Sequence, residues 1–351
     1  MEKTKIGVVG CGSISGIYLK NLTSVFGNTA VVAVCDLEPV KAQEKAREFG
    51  IGKVYSYEEM LEDPEVKIVL NLTTPHSHFN LNKAALLHHK HVYVEKPLCI
   101  ELDEGRELLE LAGKNNLYIG SAPDTFLGAG IQTAMELISK GEIGRPVAAN
   151  AFMMGHGHES WHPDPEFYYC KGGGPMFDMG PYYLTALVNL IGPVAGIAAM
   201  ARITFPQRTI TSSKKYGKIV EVEVPTHVNG IMEFENGAIG TLITSFDVWG
   251  TRTPCMEIHG SEGSLSVPDP NGFGGQVLLK KKDSREWVEV PHVDAPSENM
   301  RGIGVSRMAD ALGRNESHPC NGRMACHVLE LMHGFHLSAD RKRNYDVQSR
   351  F

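Results

Sequence analysis

The chain has 351 residues, 42% hydrophobic and 21% charged, and a formal net charge of −7. That length suits two domains with separate cores, and the composition is that of an ordinary globular protein. The acidic balance leaves no electrostatic footprint for nucleic acid or an anionic membrane surface, so neither is expected as a partner.

From the N-terminus, strand and helix patterns alternate. Ile6–Val9, Val31–Cys35, Ile68–Leu72, His91–Val94 and Tyr118–Ser121 are short runs rich in β-branched residues. Helical patterns lie between them at Ser13–Phe26, Pro39–Phe49, Tyr57–Leu61, Ser77–His88 and Leu102–Asn115. Apolar strands joined by crossover helices predict a parallel sheet covered on both faces, here over residues 1–122. Beyond Pro123 the pattern changes, and residues 123–351 are expected to form a second α/β domain. Gly130–Lys140 reads as a helix closed by Gly141, and Gly172-Gly173-Gly174-Pro175 introduces a helix reaching Ile191. From Val194 to Val293, apolar and polar residues alternate between turn signals such as Glu235-Asn236-Gly237 and Ser261-Glu262-Gly263, predicting a large, mostly antiparallel sheet. Val305–Gly313 and Gly322–Ala339 read as closing helices.

Seven cysteines, an odd number without a C-x-x-C pair, point to free thiols in a reducing compartment. Two stretches imitate membrane signals. Val8-Val9-Gly10-Cys11 resembles a lipoprotein cleavage site, but the apolar run before it is shorter than the ~7 residues a signal core needs. Leu184–Ala201 is apolar yet contains Asn189 and the helix-breaking Gly192-Pro193. A cytoplasmic protein with no membrane association is expected.

Gly10-x-Gly12-x-x-Ser15 follows the first strand and opens the first helix at Ser13 and Ile14. Its glycines let the backbone approach a pyrophosphate at the helix N-terminus, although Ser15 stands where the dinucleotide fingerprint has its third glycine. Asp36 closes the next strand, where a carboxylate bonds a ribose 2′-hydroxyl and repels a 2′-phosphate. No arginine adjoins it, so NAD is expected over NADP. Thr73, Thr74, Pro75 and His78 follow the third strand at the ligand-facing edge of the sheet and are read as flanking the cofactor. They have a plainer reading as helix cap and surface histidine.

Glu95-Lys96-Pro97 ends the His91–Val94 strand. A buried lysine just past a strand is costly unless something uses it. Beside an oxidised nicotinamide, desolvation and positive charge would lower its pKa toward neutrality, which suits a proton shuttle. Gly10-Cys11-Gly12, Asp36, Thr74-Pro75 with His78, Glu95-Lys96-Pro97, and Gly172-Gly173-Gly174 with Asp178 together resemble the glucose–fructose oxidoreductase/inositol dehydrogenase/MocA family. The resemblance covers nearly the whole chain. It implies a Rossmann domain followed by an α+β domain whose open sheet assembles homodimers or homotetramers. It also implies NAD(P)-dependent hydride transfer at a sugar or polyol carbinol. The matching lysine, an aspartate and a histidine four residues later would surround the reacting carbon. Here that last position is Tyr182. Lys96, Asp178 and Tyr182 are therefore the expected catalytic residues, with Gly10, Gly12, Ser13, Ile14, Asp36, Thr73, Thr74, Pro75, His78, Glu95 and Lys96 about the cofactor.

His156-Gly157-His158-Glu159-Ser160-Trp161-His162 is a dense polar and aromatic loop. It has residue types that bind metals, but no fixed spacing aligns them, and hydride transfer needs no metal; none is expected. His156, His158, Trp161, His162 and, after the domain crossover, Asp124 are read as substrate-binding, with Trp161 as a platform for a sugar ring. The substrate expected is a sugar, inositol-like polyol or glycoside. A redox-neutral, NAD-dependent glycoside-cleaving enzyme is the alternative, and a non-catalytic NAD sensor a weaker one.

Overall fold

In the computed structural model, which describes residues 2–351, the chain forms two compact units. One is the chain through Leu127 together with Asn299–Leu329; the other is Gly128–Glu298 with Glu330–Phe351. The sequence pattern assigns everything beyond residue 122 to the second domain, whereas Asn299–Leu329 folds with the first unit. The reason is packing: α9 (Ile303–Arg314) lies against β6 (Ile119–Ser121) and buries Ile303, Val305 and Met308.

The first unit runs β1 (Thr4–Val9), α1 (Ser15–Ser24), β2 (Thr29–Cys35), α2 (Pro39–Phe49), β3 (Lys53–Val54), α3 (Tyr57–Glu62), β4 (Ile68–Asn71), α4 (Pro75–Leu87), β5 (His91–Val94), α5 (Leu102–Lys114) and β6. Its sheet has the order β3-β2-β1-β4-β5-β6, and every neighbouring pair is parallel. Strands buried on both faces need continuous apolar runs, and Ile6, Val8, Ile68, Val69, Leu70, Val92 and Val94 are all fully buried. Helix boundaries follow local chemistry. Pro39 opens α2 and left-handed Gly50 closes it, while Ser56 and Glu59 form a reciprocal capping box on α3. This strand order reverses direction between β1 and β4, the point at whose carboxyl edge α/β sheets bind ligands.

The second unit contains α6 (Ala129–Ser139), β7 (Pro146–Met154), α7 (Gly174–Asp178), α8 (Gly180–Leu190), β8 (Val194–Arg202), β9 (Gln207–Thr209), β10 (Ile219–Glu221), β11 (His227–Phe234), β12 (Ile239–Ser245), β13 (Met256–Gly260), β14 (Gly263–Val267), β15 (Leu278–Lys281), β16 (Val288–Glu289) and β17 (Tyr345–Asp346). Helix α10 (Gly322–Arg341) is shared between the units along the chain. The large sheet has nine strands, β16-β15-β14-β13-β7-β12-β11-β8-β17, antiparallel except for the β7–β12 pair. Strand β7 is absent from the sequence expectation because Pro-Val-Ala-Ala-Asn-Ala carries little β-branched signal. It becomes a strand by lying between β13 and β12, with small Ala149 and Ala151 buried on one face.

Alternation is clean in β11. Val228, Gly230, Met232 and Phe234 are buried, while Asn229, Ile231 and Glu233 are exposed. The second face leaves Met200 82% exposed, Ile239 56% and Ile231 51%, an apolar strip that nothing within this unit covers. No helix among the described residues is long and apolar enough to cross a membrane.

Candidate functional site

Beginning with the first unit, β1 ends at Gly10, whose φ of +96° is open to glycine alone without strain. A Cβ there would also lie 2.7 Å from the Leu72 carbonyl carbon, so Gly10 lets β1 turn tightly against the loop after β4. Gly12 differs: a Cβ on it would meet nothing within 4 Å. Its outer side is open beside Ser13 and Ile14 at the start of α1, where N-cap Ile14 provides no side-chain acceptor for the helix N–H groups. Ser15 replaces the third glycine without loss, because it faces inward and donates from Oγ to the Gly12 carbonyl at 2.7 Å. At the end of β2, Asp36 accepts from Cys11 N at 2.7 Å and Glu38 N at 2.9 Å, which fixes its carboxylate against the glycine turn.

Two further strand ends complete this edge. After β4, Asn71 Oδ1 accepts from both Thr73 N and Thr73 Oγ1, and the Asn71 amide donates to Asn82. Thr74 caps α4 by backbone position without a side-chain bond, and Pro75 begins the helix. His78 is fully buried, with Nδ1 2.7 Å from the Pro97 carbonyl and Nε2 3.1 Å from that of Thr73. Burial lowers its pKa against the pull of those two carbonyls. His78 thus ties the β4 loop to the β5 loop; it has no exposed surface with which to meet the cofactor expected of it.

After β5, Lys96 is half-buried beside buried Pro97. Glu95, also expected at the cofactor, is 8% exposed; Tyr18 Oη donates to its Oε1 at 2.7 Å and the Lys96 backbone N–H to its Oε2 at 2.9 Å. Glu95 is therefore a brace that links α1 to the lysine loop. Tyr18 carries no sequence signal for that role. Asp124 departs from expectation as well. It is 1% exposed, and its Oδ2 accepts from Gly302 N at 2.8 Å and Gly304 N at 3.1 Å. Burial pushes its carboxyl up to about 6 despite those bonds. Asp124 fastens the start of α9 rather than a substrate.

The second unit holds Asp178 and Tyr182. They do not share a helix face, because the helix breaks at Met179, which ends α7 and caps α8. Pro181 is the cause: it has no N–H to donate, and its ring excludes the carbonyl four residues back. Tyr182 is 7% exposed within α8. Asp178, the last residue of α7, instead meets an imidazole from the preceding loop, with His158 Nε2 3.0 Å from its Oδ2. Both side chains are largely buried, 13% and 10% exposed. The ring of His158 lies 3.9 Å from that of Tyr168, 4.8 Å from Phe246 and 5.2 Å from Trp161.

That loop is held by a buried charge cluster with no sequence signature. Arg208, 4% exposed, pairs with Glu159 at 2.7 Å and with Asp247, and donates to the His156 and Phe246 carbonyls. Tyr169 donates to Glu159, whose carboxyl burial would raise but which the Tyr169 and Arg208 bonds hold below the ordinary value. Gly157, at φ +82°, is required here, since a Cβ would lie 2.4 Å from both Glu159 Oε2 and Tyr169 Oη. Trp161 is 62% exposed, His162 accepts from Asp164 N, and His156 stacks on exposed Trp249 at 3.4 Å. The three histidines therefore diverge, and no group of three His, Cys, Asp or Glu among the described residues could hold a metal ion.

A glycine turn, an open helix N-terminus and a strand-end acid at the carboxyl edge of this parallel sheet define a dinucleotide-binding protein. Residues 4–121 match the sequence model of the oxidoreductase family with an NAD-binding Rossmann fold, and residues 131–266 that of the GFO/IDH/MocA C-terminal domain. The chain belongs to that family and is an NAD-binding oxidoreductase. It is 29% identical over 282 residues to a 1,5-anhydro-D-fructose reductase of Ensifer adhaerens, covering 78% of this chain and 77% of that one. It is 24% identical to a myo-inositol 2-dehydrogenase of Thermotoga maritima, covering 74% of each. In fold it resembles levoglucosan dehydrogenase in complex with NADH and L-sorbose, with a TM-score of 0.86 at 20% identity over 99% of both chains.

The residues present fit NAD. The open side of Gly12 and the free end of α1 suit a pyrophosphate, and Asp36 suits an unphosphorylated ribose.

Proposed function

We propose that the protein oxidises, or in reverse re-forms, a secondary alcohol carbon of a sugar, inositol-like polyol or glycoside. The single observation that carries this reading is the convergence of Gly10–Gly12, Asp36, Thr73–Pro75 and Lys96 on the carboxyl ends of β1, β2, β4 and β5 in one parallel sheet. When bound, NAD supplies the hydride-accepting ring. Gly12, Ser13 and Ile14 would receive its pyrophosphate, and Asp36 its adenosine ribose. As the alcohol C–H leaves as hydride with its electron pair, the O–H proton must depart and a carbonyl forms. Lys96, braced by Glu95 and Tyr18, is the residue we assign to that proton, with Asp178 orienting the hydroxyl. Trp161 offers an exposed ring face of the kind that stacks on sugars.

The names of the relatives favour a carbohydrate or polyol as substrate. We also propose that the apolar strip at Met200, Ile231 and Ile239 pairs two copies of the chain, to be read from the molar mass in solution.

The test is NADH formation across a panel of sugars, inositols and glycosides. Reduction of NAD with stoichiometric keto product is expected. Product formed without net NADH would indicate the redox-neutral route instead, and NAD binding without turnover of any candidate would defeat the reading. Asp36→Ala should narrow the preference for NAD over NADP; a wild type that binds only NADP would overturn the assignment of Asp36.

A further inference from the structure

His158, which meets Asp178, has no part in the chemistry proposed above. His78 has both ring nitrogens within hydrogen-bond distance of backbone carbonyls. His158 does otherwise: Nε2 meets the Asp178 carboxylate at 3.0 Å, while Nδ1 is buried without a hydrogen-bond partner. An imidazole held on a carboxylate at one nitrogen, with the other unmatched, is the arrangement in which a carboxylate fixes tautomer and orientation and the ring stores or yields a proton.

The surroundings reinforce that state. Tyr168, Phe246 and Trp161 pack about the ring and leave its side chain only 13% exposed, which strengthens its coupling to the carboxylate. The loop that delivers His158 is itself immobilised. Glu159 takes bonds from Tyr169 and Arg208, Thr211 N and Ser212 N donate to the Glu159 carbonyl, and Trp161 N and His162 N donate to that of His158. Titratable groups around the ring are Asp178 on α7, His162 and Glu159 on its own loop, and Tyr168 and Tyr169 on the segment before α7, with Arg208 beyond Glu159. His162 feels opposing charges from His158 and Asp178, and burial keeps it below its ordinary pKa, so it does not rival Asp178 as partner of His158.

We propose that His158 is the positioning residue of Asp178, fixing its carboxylate toward the substrate hydroxyl. Because Tyr182 is buried in a separate helix, His158 is the imidazole that acts on Asp178. This rests on the oxidoreductase reading above.

His158→Phe retains the packed ring and removes both nitrogens; His158→Gln restores an amide N–H near the position of Nε2 without a titrating group. His158→Phe should lower kcat by about 10²-fold with KM changed no more than a few-fold, the scale of acid–base assistance. His158→Gln should recover part of that loss while still lacking one of the ionisations that shape the wild-type kcat–pH profile. In the cofactor-free protein, the His158 ring resonances should shift when Asp178 is replaced by Asn, since Nε2 loses its carboxylate partner. Unmoved resonances overturn the proposal, as does a His158→Phe enzyme with unchanged kcat and pH profile, or one altered in KM alone. A wild type that turns over no sugar, polyol or glycoside overturns the proposed function, and this proposal with it.

Discussion

The two units build their functional groups by different means. In the first, position comes from the backbone: a positive-φ glycine, the end of a helix and the last residues of parallel strands place Gly12, Asp36 and Lys96 along one edge. In the second, position comes from side chains on an irregular loop, where Arg208 gathers Glu159 and Asp247, and Asp178 meets His158. A backbone-built edge tolerates a side-chain change, as Ser15 in the third glycine position shows. A loop held by buried charges does not, because removing one partner strands the others in a medium of low dielectric.

The largest effect is expected at Lys96, which tests whether the first unit carries the chemistry. Lys96→Ala should reduce turnover by ~10²–10⁴ while NAD affinity, measured calorimetrically, stays within a few-fold. A folded variant with wild-type turnover would move the chemistry elsewhere. Next is Arg208, which tests the side-chain half of the contrast. Arg208→Ala leaves Glu159 and Asp247 buried without a cation and should cost about 3–5 kcal/mol in denaturant unfolding. A loss no larger than that of an exposed ion pair would mean that water already screens the cluster.

Asp124 sharpens the comparison through pH. Burial raises its carboxyl to about 6, above the ordinary ~3.9, so the fold favours the protonated form. Its contribution is complete below pH ~4 and is lost as the pH rises through about 6. Asp124→Asn stays neutral, so from pH 4 to 7 it should gain on the wild type by roughly 2–3 kcal/mol. A difference constant with pH would show that Asp124 ionises as readily in the fold as in the unfolded chain. The smallest effect belongs to Tyr18→Phe. Loss of the hydroxyl leaves Glu95 Oε1 without its donor and should destabilise by about 1–3 kcal/mol. Turnover should fall with it if the brace sets the pose of Lys96; stability loss with unchanged kcat would reduce the brace to a structural contact.

What the sequence by itself determined is five of the six strands in the first unit's sheet, its glycine turn, the acid at the end of β2 and the lysine at the end of β5. Strand and helix periodicities are local, a turn at positive φ calls for glycine, and residues at strand ends share the carboxyl edge once the strands are parallel. The open, mostly antiparallel second sheet was legible from alternation, apart from β17, which lies beyond the alternating region, and β7, whose alanines are a strand only because β12 and β13 flank them. Only the tertiary structure decided that Asn299–Leu329 belongs with the first unit, that Asp124, Glu95 and His78 are buried braces, and that Asp178 faces His158 rather than Tyr182. Each of these depends on contacts distant in sequence or on a helix broken by one proline. No periodicity records which of three histidines in a glycine-rich loop will meet a carboxylate twenty residues on.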